Sequence, residues 1–311
     1  EVSPRDIERA LDAAKAVAIP LDREVIHILP QEYIVDDQRG IADPMGMAGV
    51  RLEVKVHIVT GAVTSAQNIV RSCHKSGLDV SDIVLESLAS AKAVLTEEER
   101  EIGVALIDLG GGTCDIAIFA NDSIKHTGVL ALGGQNLTND IAFGLRTPMA
   151  AAEKIKIKHG AAIAEMVRPD EYIEVPSVGG REPRRLSRQV LAEICEPRME
   201  EILTLLDQEL VRSGLKNMIG AGVVLTGGTA LIQGCQELGE QVFNLPTRIG
   251  YPRNVGGLKD MVNSPKFATA MGLLRFGAEK EGMEQKFRIR SDGNVFNSIL
   301  SRMKKWFSEI S

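Results

Sequence analysis

The stretch Ile107-Asp-Leu-Gly-Gly-Gly-Thr-Cys-Asp115 sets an apolar strand against a turn shaped for an anion. The strand opens at Val104-Ala-Leu-Ile107 and ends on Asp108. Three glycines follow, which turn with positive φ at little steric cost and let backbone N–H groups approach a phosphate closely. Thr113 adds a hydroxyl, and Ile116-Ala-Ile-Phe119 leads away as a second strand. A carboxylate at the strand end, Asp108, suits a hard Mg²⁺ ion or a water attached to one. Read alone, the same stretch also suits a glycine-rich hairpin with Asp115 as a turn residue.

Working outward, a second turn of the same logic lies at Val224-Leu-Thr-Gly-Gly-Thr-Ala230. Gly227 and Gly228 would let a flat ligand lie against bare backbone. Thr229 would cap a helix expected over 230–242, whose positive end faces that ligand. An ordinary strand-to-helix turn fits equally well in isolation. Between the two, a strand over 126–132 runs into Gly133-Gly134 and a helix starting near Leu137. Glu153 and Lys156, three apart on an Ala-rich helix, project from one face. The Glu153 carboxylate can accept from ribose hydroxyls while the Lys156 stem packs along a base, or the two form a solvated ion pair.

The rest of the chain alternates in the same way. A helix is expected over 4–17, opened by Ser3 and Pro4. Strands are expected at 25–29 and 51–59, the latter alternating polar and apolar as a half-buried antiparallel strand does. A helix over 64–76 ends at Gly77, and Ile83-Val-Leu85 reads as a short buried strand. Further elements are a helix over 89–94, a strand at 173–175, a long helix over 191–211, a strand at 223–225 and a helix over 268–276. Strands interleaved with helices indicate an α/β domain carrying a small α+β unit at its start.

Bulk properties exclude several classes. Across 311 residues, 44% hydrophobic and 25% charged content is ordinary for a globular chain. A net charge of −6 argues against a nucleic-acid partner. Cys73, Cys114, Cys195 and Cys235 are widely spaced, as are the five histidines, so neither a disulfide framework nor a metal cluster is expected. There is no signal peptide and no apolar run long enough to span a bilayer.

Taken in order, Asp-x-Gly-Gly-Gly-Thr, Gly-Gly with an Asp six residues later, Ala-Glu-x-x-Lys and Leu-Thr-Gly-Gly resemble the second half of the actin/Hsp70/sugar-kinase (ribonuclease H-like) nucleotide fold. Leu29-Pro-Gln-Glu-Tyr33, Gly49-Val-Arg51, Lys55-Val-His57, Val175-Pro-Ser-Val-Gly-Gly-Arg181, Ala192-Glu-Ile with Glu196-Pro-Arg198, and Leu225-Thr-Gly-Gly228 narrow the likeness. They resemble the FtsA family of bacterial cell-division proteins along the whole chain. The resemblance implies ATP or ADP with Mg²⁺ as ligands. Asp108, Gly110, Gly111, Gly112 and Thr113 would meet the β- and γ-phosphates, with Asp108 organising Mg²⁺ through water. Gly133 and Gly134 would lie near the ribose-phosphate, Glu153 and Lys156 would touch the adenosine, and Gly227, Gly228 and Thr229 would floor the purine. Glu86, at a helix start, would be a water-orienting catalytic group, although Glu is common at helix starts for electrostatic reasons alone. At most a weak ATPase is implied.

The same likeness divides the chain into a 1C-type block (1–60), subdomain 2A (61–146 and 216–265) and a 2B insertion (147–215). A closing helix (266–278), a flexible linker (279–294) and a terminal helix (295–311) complete it. The family pattern opens with a first phosphate loop in subdomain 1A, and this sequence begins at Glu1 with no counterpart. A truncated chain with subdomain 1A largely absent and weakened ATP affinity is therefore expected.

Residues 295–311 place apolar groups on one helix face, among them Phe296, Ile299, Leu300, Met303, Trp306 and Phe307, flanked by Lys304 and Lys305. A helix of this kind, about 25 Å long at 1.5 Å per residue, lies in the membrane interface rather than spanning it. Docking on the protein's own core is the alternative. The resemblance implies further partners: anionic lipids, other copies in a filament, the C-terminal peptide of the tubulin-like protein FtsZ and later division proteins. Arg181, Arg184, Arg185 and Arg188 in the 2B region suit that acidic peptide or a solvated surface. The implied location is the cytoplasmic face of the bacterial inner membrane at midcell. Competing readings within the fold are a phosphotransferase, a chaperone ATPase and a pilus-assembly actin relative.

Overall fold

A computed structural model describes residues 1–254, 256 and 262–291. The terminal helix expected over 295–311 lies outside the described residues.

The strands β4 (Val104–Leu109) and β5 (Cys114–Ala120) are buried along their whole length, as strands covered on both faces must be. They sit inside a five-stranded sheet with β6 (Ser123–Leu130), β9 (Val223–Thr226) and β10 (Thr247–Ile249), in the order β10-β9-β4-β5-β6. β10, β9 and β4 run parallel, whereas β4-β5 and β5-β6 pair antiparallel. Alternate side chains therefore feed two separate cores. Ala105, Ile107, Leu109, Ile116, Ile118, Val223 and Leu225 belong to the larger. Val104, Leu106, Ala117, Phe119 and Val224 belong to the other.

The larger core is covered by α5 (Gly134–Gly144), α6 (Met149–His159), α7 (Arg188–Arg212) and α8 (Cys235–Phe243). A small antiparallel pair, β7 (Tyr172–Val175) and β8 (Arg184–Ser187), adds Ile173 and Val175 to it. Residues 147–215 thus contribute to the core of the sheet, beside a small cluster of their own around Ala161, Val167 and Ala192. The opposite face carries α3 (Glu86–Val94) and α9 (Ala268–Ser291). These two helices cross so tightly that a Cβ on Gly272 would sit 1.7 Å from the Ala89 carbonyl oxygen.

The first block is a three-stranded antiparallel sheet of β1 (Arg23–Val35), β2 (Gln38–Ile41) and β3 (Leu52–Ala62), in the order β2-β1-β3. Against it packs α1 (Pro4–Lys15), whose start is fixed by the Ser3–Asp6 capping box. Those hydrogen bonds hold the Asp6 carboxyl down at about 2. Gln31 joins this block to the large sheet by donating to the carbonyls of Ile124 and Lys125. The connecting helix α2 (Val63–Lys75) ends before Gly77, which takes a φ of +78° as a C-terminal glycine does.

Several expectations need correction. Ile83–Leu85 forms no strand, because the Leu85 N–H is donated to the His27 ring at 3.0 Å instead of to a neighbouring ladder. The helix expected over 230–242 is broken. Thr229–Leu231 forms one 3₁₀ turn, Gly234 adopts a φ of +80°, and α8 starts only at Cys235. The flexible linker expected from 279 is helical through Ser291 as a continuation of α9, since Glu, Lys, Met and Gln there are strong helix formers. Short elements missed by the pattern are β2, β8, β10 and α4 (Glu97–Ile102). Among the described residues, no helix is long and apolar enough to cross a membrane.

Candidate functional site

The antiparallel register decides where the acidic groups go. Asp108 on β4 stands directly opposite Asp115 on β5, so both carboxylates leave the sheet on the face shared with α3 and α9. Like charges placed so are unfavourable unless something offsets them. Asp108 is buried and accepts hydrogen bonds from Ser90 of α3 at 2.7 Å and Thr269 of α9 at 3.4 Å. Burial pushes its carboxyl above the usual range, the Ser90 bond opposes this, and the Asp115 charge adds to it. Asp115 is likewise raised by burial, against a 3.1 Å hydrogen bond from the Thr113 hydroxyl. Thr113 therefore faces Asp115, a sequence role not foreseen for it. Glu86, at the start of α3, completes the group. Partial enclosure, then the charges of Asp108 and Asp115, lift its carboxyl, while a hydrogen bond with Thr269 pulls it down.

Three hard-oxygen groups facing one another suit a divalent cation chemically. Among the described residues, however, no three His, Cys, Asp or Glu side chains are close enough together to ligate one ion. The arrangement fits an ion held through water, not one clasped by three carboxylates.

Above this group the glycine turns meet. The N–H of Gly134 donates to the Gly110 carbonyl at 2.9 Å and that of Gln135 to the Gly111 carbonyl at 2.7 Å. The Thr229 hydroxyl also donates to Gly110, at 2.9 Å. Gly133 has no room for a side chain, since a Cβ would lie 2.7 Å from the Gly111 oxygen. Gly227, with a φ of +87°, would put one 2.4 Å from an Asp108 carboxylate oxygen. Gly111 and Gly112, by contrast, face open space, and their N–H groups make no backbone hydrogen bond among the described residues. Unsatisfied N–H groups on a glycine turn are the usual means of holding an anion.

Beside the turn is a pocket of about 300 Å³ lined by Gly111, Glu153, Lys156, Gly228 and Thr229, with Ile157, Leu231, Ile232 and Lys266 completing the wall. Lys156 is buried, and its amine donates to the Gly134 carbonyl at 2.9 Å, the Thr138 hydroxyl at 2.9 Å and the Glu153 carboxylate at 2.8 Å. The ion pair expected from spacing is real, but the amine points inward and braces the Gly134 turn. Partial burial pushes the Glu153 carboxyl up, but hydrogen bonds from Lys156 and Thr138, with the lysine charge, hold it below the usual range. Thr229 does not cap a helix, because its hydroxyl is given to Gly110 and the helix begins later. Asp140, six residues after Gly134, lies away from the pocket and is gripped by the Arg198 guanidinium at 2.5 and 3.2 Å.

Sequence reading missed Ser90, Thr138 and Thr269, whose hydroxyls carry the hydrogen bonds of this site. Small hydroxyl residues in helices give no periodic signal, and only the crossing of α3 and α9 brings two of them to Asp108. Of the four arginines of the 2B region, two are committed within the fold. Arg188 is committed to the Glu171 carboxylate at 2.6 Å and the His159 carbonyl at 2.8 Å, and Arg184 to the Leu145 carbonyl. Arg185 lies over the Tyr172 ring at 4.4 Å, and Arg181 is exposed.

The architecture has solved counterparts. MreB5 of Spiroplasma citri bound to ADP aligns with a TM-score of 0.57 at 20% identity, over 72% of this chain and 68% of that one. A PilM–PilN type IV pilus biogenesis complex aligns at 0.60 and 16% identity, over 88% and 73% respectively. With helices on both faces of this mixed sheet, the fold is actin-like.

Sequence comparison is more specific. Residues 105–272 match the family model for cell division protein FtsA, and residues 1–60 match that of the SHS2 domain inserted in FtsA. The chain is 51% identical to the FtsA of Pseudomonas aeruginosa, over 98% of its own length and 74% of the relative's. Against the FtsA of Escherichia coli it is 42% identical, with the same coverage of 98% and 74%. The chain belongs to the FtsA family of actin-like cell-division proteins.

Proposed function

We propose that this chain binds ATP or ADP, with Mg²⁺, at the junction of its three glycine turns, and acts as a membrane-attached adaptor in cell division. The supporting observation is the meeting of the Gly110–Gly112, Gly133–Gly134 and Gly227–Thr229 turns, tied to one another by hydrogen bonds, beside a pocket that Gly111, Gly228 and Thr229 line. The Gly111 and Gly112 N–H groups would hold phosphate oxygens, and Asp108 would hold Mg²⁺ through water. Glu153 would accept from the ribose. A bound Mg²⁺ supplies charge neutralisation for the phosphates. Glu86 sits where its raised carboxyl can orient a water, which agrees with weak ATP turnover at most.

Nucleotide would favour polymerisation along the cytoplasmic face of the inner membrane at midcell. The amphipathic segment 295–311 would plant Phe296, Ile299, Leu300, Met303, Trp306 and Phe307 among lipid tails, with Lys304 and Lys305 on anionic headgroups. The acidic FtsZ peptide would meet the face carrying Arg181 and Arg185, and later division proteins would gather on the filament.

Two measurements test this. Titration of a fluorescent ATP analogue with Mg²⁺ should show saturable binding that is reduced at least about tenfold by Gly111→Val, which fills the open turn. Unchanged binding would remove the nucleotide assignment. Separately, the chain should sediment with anionic vesicles, and Trp306→Glu with Phe307→Glu should abolish that. Equal pelleting of the double variant would reject the tether.

A further inference from the structure

The two oxygens of Asp108 differ in their surroundings. Oδ2 accepts the Ser90 hydroxyl of α3 at 2.7 Å and lies 3.4 Å from the Thr269 hydroxyl of α9. Oδ1 accepts no hydrogen bond among the described residues. Among those residues the one fully buried side-chain nitrogen or oxygen without a partner is Nη2 of Arg275, so Oδ1 is reached by solvent. It lies over Gly227, where a Cβ would come within 2.4 Å of it. A carboxylate turns readily about its last torsion, which is broad and roughly two-fold. The Asp115 carboxylate directly across the strand pair repels it. Which oxygen meets the cleft is therefore set by the hydrogen bonds to Oδ2.

The two hydroxyls are unequal, because each has one proton to give. Ser90 gives its proton to Asp108, and its own oxygen is left to accept. Thr269 has three acceptors to serve: Ser90 at 3.0 Å, Asp108 at 3.4 Å and the Glu86 carboxylate. Ser90 is thus the main hold on Asp108, and Thr269 supports it from behind. Both are placed by the α3–α9 crossing that Gly272 permits. Groups that orient a metal's carboxylate from its far side tune metal affinity without touching the ion.

We infer that Ser90, backed by Thr269, is a positioning residue for the divalent cation, turning Oδ1 of Asp108 toward the water through which Mg²⁺ is held. The inference rests on the nucleotide and Mg²⁺ reading given above. Binding of a fluorescent ATP analogue to the full chain is titrated with MgCl₂ and measured separately in EDTA. Ser90→Ala should raise the Mg²⁺ concentration at half-maximal binding about tenfold and leave affinity in EDTA unchanged. Thr269→Val should raise it less, and Thr269→Ser, which restores the hydroxyl, should match the parent. Circular dichroism checks folding, and the half-buried Thr269 pair decides the matter if Ser90→Ala fails to fold. Parental Mg²⁺ dependence in both Ser90→Ala and Thr269→Val would overturn the inference. So would affinity lost equally with and without Mg²⁺, which would make the hydroxyls mere packing of the helix crossing. A parent chain that binds no analogue, or binds it without regard to Mg²⁺, would instead remove the underlying reading, and this inference with it.

Discussion

The Thr229 hydroxyl donates to the Gly110 carbonyl at 2.9 Å, a bond that ties together two glycine turns 119 residues apart. It holds the Gly110–Gly112 turn in register with the Gly227–Thr229 turn. Thr229→Val keeps the shape and removes the donor. The variant should lose about 1 kcal/mol of stability in urea unfolding and bind nucleotide more weakly, while Thr229→Ser should match the parent in both. A Val variant as stable and as tight as the parent would show that the bond holds nothing.

Two glycines of the site should respond oppositely to the same substitution. Gly227→Ala forces a side chain into a φ of +87° and sets its Cβ 2.5 Å from the Leu109 carbonyl oxygen. Backbone strain alone costs about 1–3 kcal/mol, and the clash adds to it, so low soluble yield or a markedly lower unfolding midpoint is expected. Gly111→Ala meets nothing within 4 Å and should leave stability within about 0.5 kcal/mol of the parent. Its methyl group enters the pocket instead, so only ligand affinity should fall. Denaturation curves of the two variants side by side decide the matter.

Lys156 is the brace of the site. Lys156→Met keeps the stem in its apolar surroundings but removes the ammonium, leaving Thr138 as the remaining side-chain donor to the Gly134 carbonyl and Glu153. Loss of hydrogen bonds from a charged group costs about 1.5–3 kcal/mol, and the Gly134 turn should loosen as well. Amide hydrogen exchange at Gly134 and Gln135, both of which donate into the Gly110–Gly111 turn, should quicken in the variant. Protection equal to the parent would mean the turn stands without the amine.

Much of this was legible in the residues. The all-apolar run Val104–Ile107 could only be a strand covered on both faces, and the glycine turns announced where backbone had to come close. Gly227 and Gly133 are glycine for the steric reason that such turns imply. Hidden were features set by packing between distant elements. Whether 230–242 would be one helix depended on Gly234, a residue that a helix interior tolerates at a cost but that here takes a left-handed φ of +80°. Residues 83–85 had the composition of a strand but no strand beside them. Ser90 and Thr269 reach Asp108 only because Gly272 lets α9 close on α3, and nothing in either local sequence reports that crossing.

His27 links the first block to the start of α3, and its ring makes that link sensitive to acid. Its Nε2 accepts the Leu85 N–H, so the proton of the neutral ring sits on Nδ1 and there is no lone pair to spare at Nε2. Burial lowers its pKa below the ordinary value of 6.5, against a smaller opposing pull from Asp82. The folded state thus binds fewer protons than the unfolded chain between the depressed value and 6.5. Stability is fully present above 6.5 and declines as pH falls through that window, by at most about 1.4 kcal/mol per pH unit. His57, lowered by burial in the same sense, adds to the slope. His27→Gln retains an acceptor for Leu85 and cannot titrate. Urea unfolding between pH 7.5 and 5.5 should show a shallower decline in this variant than in the parent, and parallel curves would mean that the His27 ring is protonated as readily folded as unfolded.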